Sequence, residues 1–422
     1  MPLTIATLQH YRQSFSAEQI VTLIGIGIAM SLLGDATLYI VLPTQYGQAG
    51  IVVEQVGIIL AANRAIRLLV NSPYGMLIER IPRRWLLIPS LFLGSFASLL
   101  YTIPGFEMLL IGRLLWGTAW AGLAIGGTTV IFDIATDEKR GRYVGRYQMW
   151  FFIGVGLSSL VGGFLFDTIG YAPTFYTSAV LIAMGALLWL LFLPETRHWQ
   201  SASPIDATPL EAATNNLANP EPPLPRNRWA IVLVILLNGI NWLIFIGVAL
   251  SILPLLLEER LGTRIGLAGL LTLQLVSFTG LLSFFNTLIS LNTSISVGWL
   301  SDRSDNRWRL IVLGLVMGVI SLSLAAVGQG WVVIVATMLN AVVSSILIMQ
   351  TTTIIGDIMR GTPQQGRTLG FLNTAGDLGG AVGPMLAFVL LPMIDLQGVF
   401  SLAAGLLALM LLPSVWMMLK SN

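Results

Sequence analysis

The chain has 422 residues, of which 55% are hydrophobic and 10% charged, and its net charge is +2. Soluble domains carry roughly 25% charged residues, so this composition excludes a large soluble enzyme. There is no cysteine, which removes disulfides and thiolate chemistry, and so small a net charge implies no nucleic-acid partner.

The first 19 residues are polar and mixed, ending Ser16-Ala-Glu-Gln19. The apolar run that follows continues to Pro43, longer than the core of a secretory leader, and predicts a retained first span. Apolar stretches of about 20 residues, the length that crosses a bilayer, then recur. They predict helices at 20–43, 53–76, 84–103, 107–132, 143–166 and 171–193. Residues 195–228 are rich in Pro, Ala and Asn, as in Asn219-Pro-Glu-Pro-Pro-Leu-Pro225. Such a segment buries too little apolar surface to fold alone and reads as a tether. Six more helices are predicted at 229–256, 268–297, 309–328, 331–356, 367–391 and 395–418. Only helices and closed barrels satisfy backbone polar groups in lipid, and these runs are too long for barrel strands. The expected fold is an all-α membrane protein. Twelve transmembrane helices form two pseudo-symmetric six-helix bundles, 1–194 and 229–422, joined by a cytoplasmic linker at 195–228. Leu253-Pro254 in span 7 echoes Leu42-Pro43 in span 1, and about twelve extra residues, around Gly262 to Thr272, separate spans 7 and 8.

Basic residues set the orientation. With the N-terminus inside, Arg260 and Arg264 lie in external loops and Arg64, Arg67 and Arg113 in spans. The rest of the 22 Lys and Arg are cytoplasmic. This asymmetry places both termini in the cytoplasm.

One motif occurs twice. Gly75-Met-Leu-Ile-Glu79-Arg80-Ile-Pro82-Arg83-Arg84 follows span 2, and Gly298-Trp-Leu-Ser-Asp302-Arg303 follows span 8. Asp133 and Asp357, at the ends of spans 4 and 10, repeat at nearly the same offset. A duplicated architecture in an apolar chain points to a transporter built from two halves. Arginines in such turns pair with carboxylates at neighbouring helix ends, which predicts Arg80–Asp133 and Arg303–Asp357 pairs.

Charges within the spans mark a functional interior, because they are costly in lipid. Asp35 in span 1 is a candidate to bind and release a proton, with Tyr39 one turn on along the same face. A structural ion pair with Arg64, Arg67 or Arg113 is the alternative, and both roles can coexist. Arg64, Arg67 and Asn71 form a stripe on span 2, while Asn63 corresponds to Asn286 in span 8. Trp116 and Trp120 follow Arg113 at helical spacing, and Asn238, Asn241 and Trp242 do the same on span 7. These side chains either line a substrate cavity or bond and pack between helices. Asp377, in a glycine-rich stretch ending Gly383-Pro384, reads as a cap or gate near the cytoplasmic end of span 11. No phosphate-binding loop, nucleophile elbow or metal-ligand cluster is present, since His10 and His198 lie in polar segments. The chain therefore implies no metal or cofactor and no catalytic residue, and gradient-driven transport rather than ATP hydrolysis.

These features resemble the major facilitator superfamily, and within it the twelve-span drug:proton antiporters, over essentially the whole chain. The loop motif is similar to Gly-x-x-x-Asp-Arg-x-Gly-Arg-Arg, departing at Glu79 and Pro82. Asp35-Ala-Thr37 with Leu42-Pro43 resembles the family's span-1 motif. Arg113 with Gly117 is similar to its span-4 pattern, and Leu193-Pro194-Glu195-Thr196 to its span-6 ending. In span 5, Ser158-Ser159 stand where the family carries Gly-Pro. The resemblance implies proton-coupled export of an amphipathic organic compound by alternating access. Asp35 would carry the proton, Arg113 would tune it, and the loop ion pairs would latch one state. It further implies a monomer in the cell (inner) membrane, with protons, a small-molecule substrate and lipid as partners. A metabolite or organic-anion importer or uniporter of the same fold is the alternative, because the membrane arginines outnumber the interior acids. A non-transporting receptor or scaffold on this fold is a third reading.

Overall fold

The computed structural model describes residues 15–136, 138–197, 199, 228–267, 271–304, 306–359 and 365–420. Most of the expected tether, with His10 and His198, lies outside the described residues.

Six helices fill the first half: α1 (Ala17–Gln45), α2 (Val53–Arg80), α3 (Arg84–Leu100), α4 (Phe106–Ile134), α5 (Arg140–Ile169) and α6 (Tyr171–Phe192). Ser16 starts α1 with a capping box: its hydroxyl accepts from Gln19 N, and Gln19 Oε1 accepts from Ser16 N at 2.8 Å. The second half holds α7 (Arg228–Leu261), which contains a π-helical segment over Trp242–Ala249. It continues with α8 (Leu275–Asp302), α9 (Trp308–Val327) and α10 (Trp331–Ile358). The helical stretch Gln365–Leu409 is interrupted at Asp395, whose φ of 55° is non-helical. That break divides it into α11 (365–394) and α12 (396–409), and α13 (Leu411–Lys420) completes the chain.

The extra residues before α8 depart from the all-helical expectation. They form an antiparallel hairpin of β1 (Arg264–Leu267) and β2 (Leu271–Gln274), with Arg264 opposite Gln274. Accordingly α8 begins at Leu275 rather than near residue 268.

Nine helical stretches among the described residues are long and apolar enough to cross a membrane. Arg84–Leu100 is apolar but has 17 residues. Val53–Arg80 has the length but carries Asn63, Arg64, Arg67 and Asn71. Large apolar side chains point outward along these helices, among them Leu69, Val180, Val232 and Ile295. A rim so apolar suits acyl chains rather than water.

The helices run alternately up and down between two ends. One end gathers Arg83, Arg84, Arg142, Arg303 and Arg307 and is called here the basic end. At the opposite end a buried apolar core is continuous between the halves, joining Leu38–Leu42 and Val56–Leu60 to Ile244–Leu257 and Val276–Leu282. Asp167 at the end of α5 reinforces this seal by accepting from Ser277 N, in the first turn of α8, at 2.7 Å. Towards the basic end the first half keeps a separate core around Ile24, Trp116, Val130 and Trp189.

Candidate functional site: a central cavity and two buried ion pairs

The first ion pair lies within the first half. Gly117 faces α2 so closely that a Cβ there would lie 2.3 Å from the Asn63 carbonyl oxygen. This approach lets Arg113, fully buried on α4, reach across. Its Nε donates to the Ile59 carbonyl at 3.1 Å, and its Nη2 to Leu60 O at 3.4 Å and to the Tyr39 hydroxyl at 3.3 Å. Its Nη1 is ion-paired with Asp35 Oδ1. Asn63 Nδ2 donates to the same carboxylate oxygen at 3.3 Å, and the Tyr39 hydroxyl donates to Leu60 O at 3.1 Å. Arg113 is thus surrounded by carbonyls, a hydroxyl and one carboxylate, which is how a buried guanidinium is tolerated. Asp35 is the less enclosed partner, with a side-chain exposure of 18%.

The second ion pair joins the halves. Arg67 on α2 meets Asp377 on α11. Here α2 and α11 pack closely, since a Cβ at Gly57 would lie 2.6 Å from Pro384 O. Gly383 and Pro384, expected at a packing point, sit between α11, α2 and Gly247 of α7.

Next to this second pair is a cavity of about 550 Å³. Arg67 and Asn71 line it from α2, and Trp120, Thr128, Thr129 and Phe132 from α4. Asn238 and Trp242 contribute from α7, Ile348 and Thr352 from α10, and Leu372, Asn373, Gly376 and Asp377 from α11. Most of these positions lie in the half of their helix nearer the basic end. Both halves of the chain therefore supply walls, and the core sealed between them lies at the other end.

The expected site residues divide. Arg67, Trp120, Asn238 and Trp242 line the cavity, and Asp377 joins them as a wall rather than only a cap. Asn238 is also anchored, donating to Leu372 O at 2.8 Å. Tyr39 and Asn63 serve the Asp35–Arg113 pair instead. Trp116 faces α3, where a Cβ at Gly94 would lie 2.8 Å from its ring, so it is core rather than cavity wall. Asn241 is buried and donates to Ser344 Oγ at 3.4 Å, and Asn286 on α8 is outside the cavity lining. Arg64 is outside the lining but lies against one wall residue: its Cζ is 5.4 Å from the Trp242 ring centre, and its Nη1 donates to Gly380 O at 3.4 Å. Asn373, Thr128, Thr129 and Thr352 were missed. Asn373 stands one helical turn before Asp377, a polar spacing that points to a shared face.

The loop pairs differ in partner from those expected. Asp133 is held by Arg83, not Arg80, with Nε 2.9 Å from Oδ2, and Thr196 Oγ1 donates to it at 3.2 Å. Asp357 is held by Arg307, not Arg303, at 2.7 Å. Register explains both shifts: Arg80 and Arg303 sit at the ends of α2 and α8, whereas Arg83 and Arg307 are the N-cap residues of α3 and α9, from which they reach Asp133 and Asp357. Arg303 stacks on Trp299 at 3.5 Å, and Glu79, Arg80 and Asp302 are exposed. The Glu79 and Arg80 carbonyls accept from Arg197 at 2.8 and 2.9 Å. Gly75 is in open space, and Gly298 approaches only Met349.

A family model described as Major Facilitator Superfamily matches residues 24–294 and 276–421. Among curated proteins, a 158-residue stretch is 27% identical to Sodium-dependent phosphate transport protein 1 of Rattus norvegicus, covering 36% of this chain and 34% of that protein. The chain is 22% identical over 274 residues to Quinolone resistance protein NorA of Staphylococcus aureus, covering 64% of this chain and 58% of that protein. The matched regions thus span a third to little more than half of these relatives. Among solved structures, a bacterial homolog to the human lysosomal transporter Spinster, inward-facing and unoccupied, superposes with a TM-score of 0.77. Identity there is 14%, with 96% of this chain and 98% of that chain covered. A POT family transporter in complex with 5-aminolevulinic acid also gives 0.77, at 13% identity, with 98% and 100% covered.

Proposed function

The chain belongs to the Major Facilitator Superfamily, and on that premise we propose that it is a proton-coupled secondary transporter that exports an amphipathic organic compound. Counting Val53–Arg80 and Arg84–Leu100 as crossings, and dividing the last stretch at Asp395, gives twelve spans. They are arranged as units 1–194 and 229–422, with the basic end and both termini in the cytoplasm of a cell membrane. The positive-inside bias supports that orientation, as do the exposed Trp85, Trp229, Trp299 and Trp416 near the basic end.

The single observation that carries the reading is the Asp35 cluster. Asp35 is a partly exposed carboxylate on α1, paired with a fully buried arginine on α4, a helix that also lines the cavity. An ionisable carboxylate held inside a span is the kind of group that proton relays use. The pair stays within one half, but α1 also packs on α7 and α8 of the second half, so movement of that half changes what surrounds the carboxylate. The sealed core at the external end and the cavity at the basic end fit an inward-open state of an alternating-access cycle. The match to a quinolone resistance protein supports export of a ring-bearing solute.

The test is solute flux in proteoliposomes under an imposed pH gradient, across a panel of amphipathic fluorescent solutes. At least one is expected to move with the gradient and to stop moving when a protonophore is added. Asp35→Asn is expected to retain solute exchange and lose gradient-driven accumulation. Full coupling in Asp35→Asn, or flux indifferent to the gradient, contradicts the reading.

A further inference from the structure

The charges in the middle of the molecule do not balance. Three arginines lie there, Arg64, Arg67 and Arg113, against two carboxylates, and both carboxylates are taken. Arg113 holds Asp35 and Arg67 holds Asp377. Arg64 is left with a carbonyl at 3.4 Å and two aromatic faces, Trp242 at 5.4 Å and Tyr39 at 6.0 Å. None of these carries a negative charge, and the carbonyl contact is a long one.

The seat of Arg64 is built. A Cβ at Gly380 would lie 2.2 Å from Arg64 Nη1, so the guanidinium occupies the space that a side chain there would take. One turn along the same helix face, Arg67 Nε is buried with no hydrogen-bond acceptor. Two neighbouring arginines therefore each have donor capacity without an acceptor. Trp242 connects them to the cavity: it lies against Arg64 and, with Trp120, supplies flat apolar wall.

We infer that the cavity takes a planar aromatic compound bearing one anionic acid group, and that Arg64, assisted by Arg67 Nε, is the seat of that group. An anion supplies the missing acceptor and cancels the surplus charge. A cationic ring compound would face two guanidiniums, and a neutral one would leave Arg64 uncompensated. Trp242 and Trp120 then flank the ring, and Asn71, Asn238 and Asn373 offer hydrogen bonds to its other substituents. This inference rests on the cavity being the transport site.

The experiment is equilibrium binding to the purified full chain in lipid nanodiscs, using 1-naphthoate, 1-naphthamide and 1-naphthylmethylammonium as probes. The three share a ring and differ in head-group charge. The carboxylate is expected to bind at least tenfold tighter than the amide, and the ammonium most weakly. Arg64→Gln is expected to bring the carboxylate to the level of the amide while still binding the amide, which a misfolded variant would not. Arg64→Lys retains most of the preference, and Gly380→Ala, which displaces the guanidinium, reduces it. Equal binding of carboxylate and amide, or an intact preference in Arg64→Gln, overturns the inference. No pH gradient enters this measurement. Preferred binding of the carboxylate without gradient-driven flux would therefore contradict the transport reading alone, and gradient-driven flux without that preference would contradict this inference alone.

Discussion

Two arginine–aspartate pairs lie in the middle of the molecule, and they differ in what they join. Asp35–Arg113 links α1 to α4 inside one half, and its arginine is fully buried. Arg67–Asp377 links α2 to α11 across the halves, and both side chains are partly exposed beside the cavity. The first pair is set in a complete shell of carbonyls and hydroxyls. The second leaves Arg67 Nε without an acceptor. A pair enclosed within one rigid unit fixes structure and holds an ionisable group in place. A pair that spans two units beside a cavity would be made or broken if one half moved against the other.

The largest expected effect separates the two pairs by stability. Arg113→Leu leaves Asp35 without its cation and removes the anchor of α4 on α2, and it is expected to cost about 3–5 kcal/mol. Asp377→Asn keeps a polar partner beside a hydrated cavity and is expected to cost about 1–2 kcal/mol. Thermal unfolding of the purified variants measures both, and a reversed order would break the distinction. Next in size is the close approach that seats Arg113. Gly117→Val places carbon against the Asn63 carbonyl and is expected to cost about 1–3 kcal/mol by overpacking. Gly75→Ala, in open space, is expected to stay within about 0.5 kcal/mol. Smallest is the rim of the basic end. Arg83→Gln loses the contact with Asp133 and is expected to cost about 1 kcal/mol. Arg80→Gln, with an exposed side chain, is expected to change stability by less than about 0.5 kcal/mol. A larger loss in Arg80→Gln would return the Asp133 partnership to Arg80.

The same contrast explains what was legible in the sequence. Asp35 was readable as half of an ion pair because a charge in an apolar helix must find its opposite, but which of Arg64, Arg67 and Arg113 it meets was not. Most of the helical spans were readable from hydropathy. The cross-half contact was not, because nothing in the periodicity of α2 or α11 states that Arg67 faces Asp377. Asp377 was accordingly expected as a cap or gate, and it stands as a cavity wall. Trp116 and Trp120 share a helix side by spacing, yet Gly94 opens a slot on α3 that takes the first ring and leaves the second to the cavity. That slot belongs to another helix and is invisible from α4. The hairpin before α8 did leave a signal. Arg264-Ile-Gly-Leu267 and Leu271-Thr-Leu-Gln274 alternate apolar and other residues with the period of a strand.

The most direct measurement of the central claim uses the absence of native cysteine. Spin labels introduced at Glu79→Cys and Asp302→Cys, both exposed at the basic end, report the separation between the halves. Labels at Glu79→Cys and Glu138→Cys report on the first half alone. In lipid nanodiscs the account predicts two distance populations for the first pair of labels, with their ratio changed by Asp377→Asn, and a single unchanged population for the second. A single fixed distance between the halves in both proteins, or a second population within the first half, would contradict it.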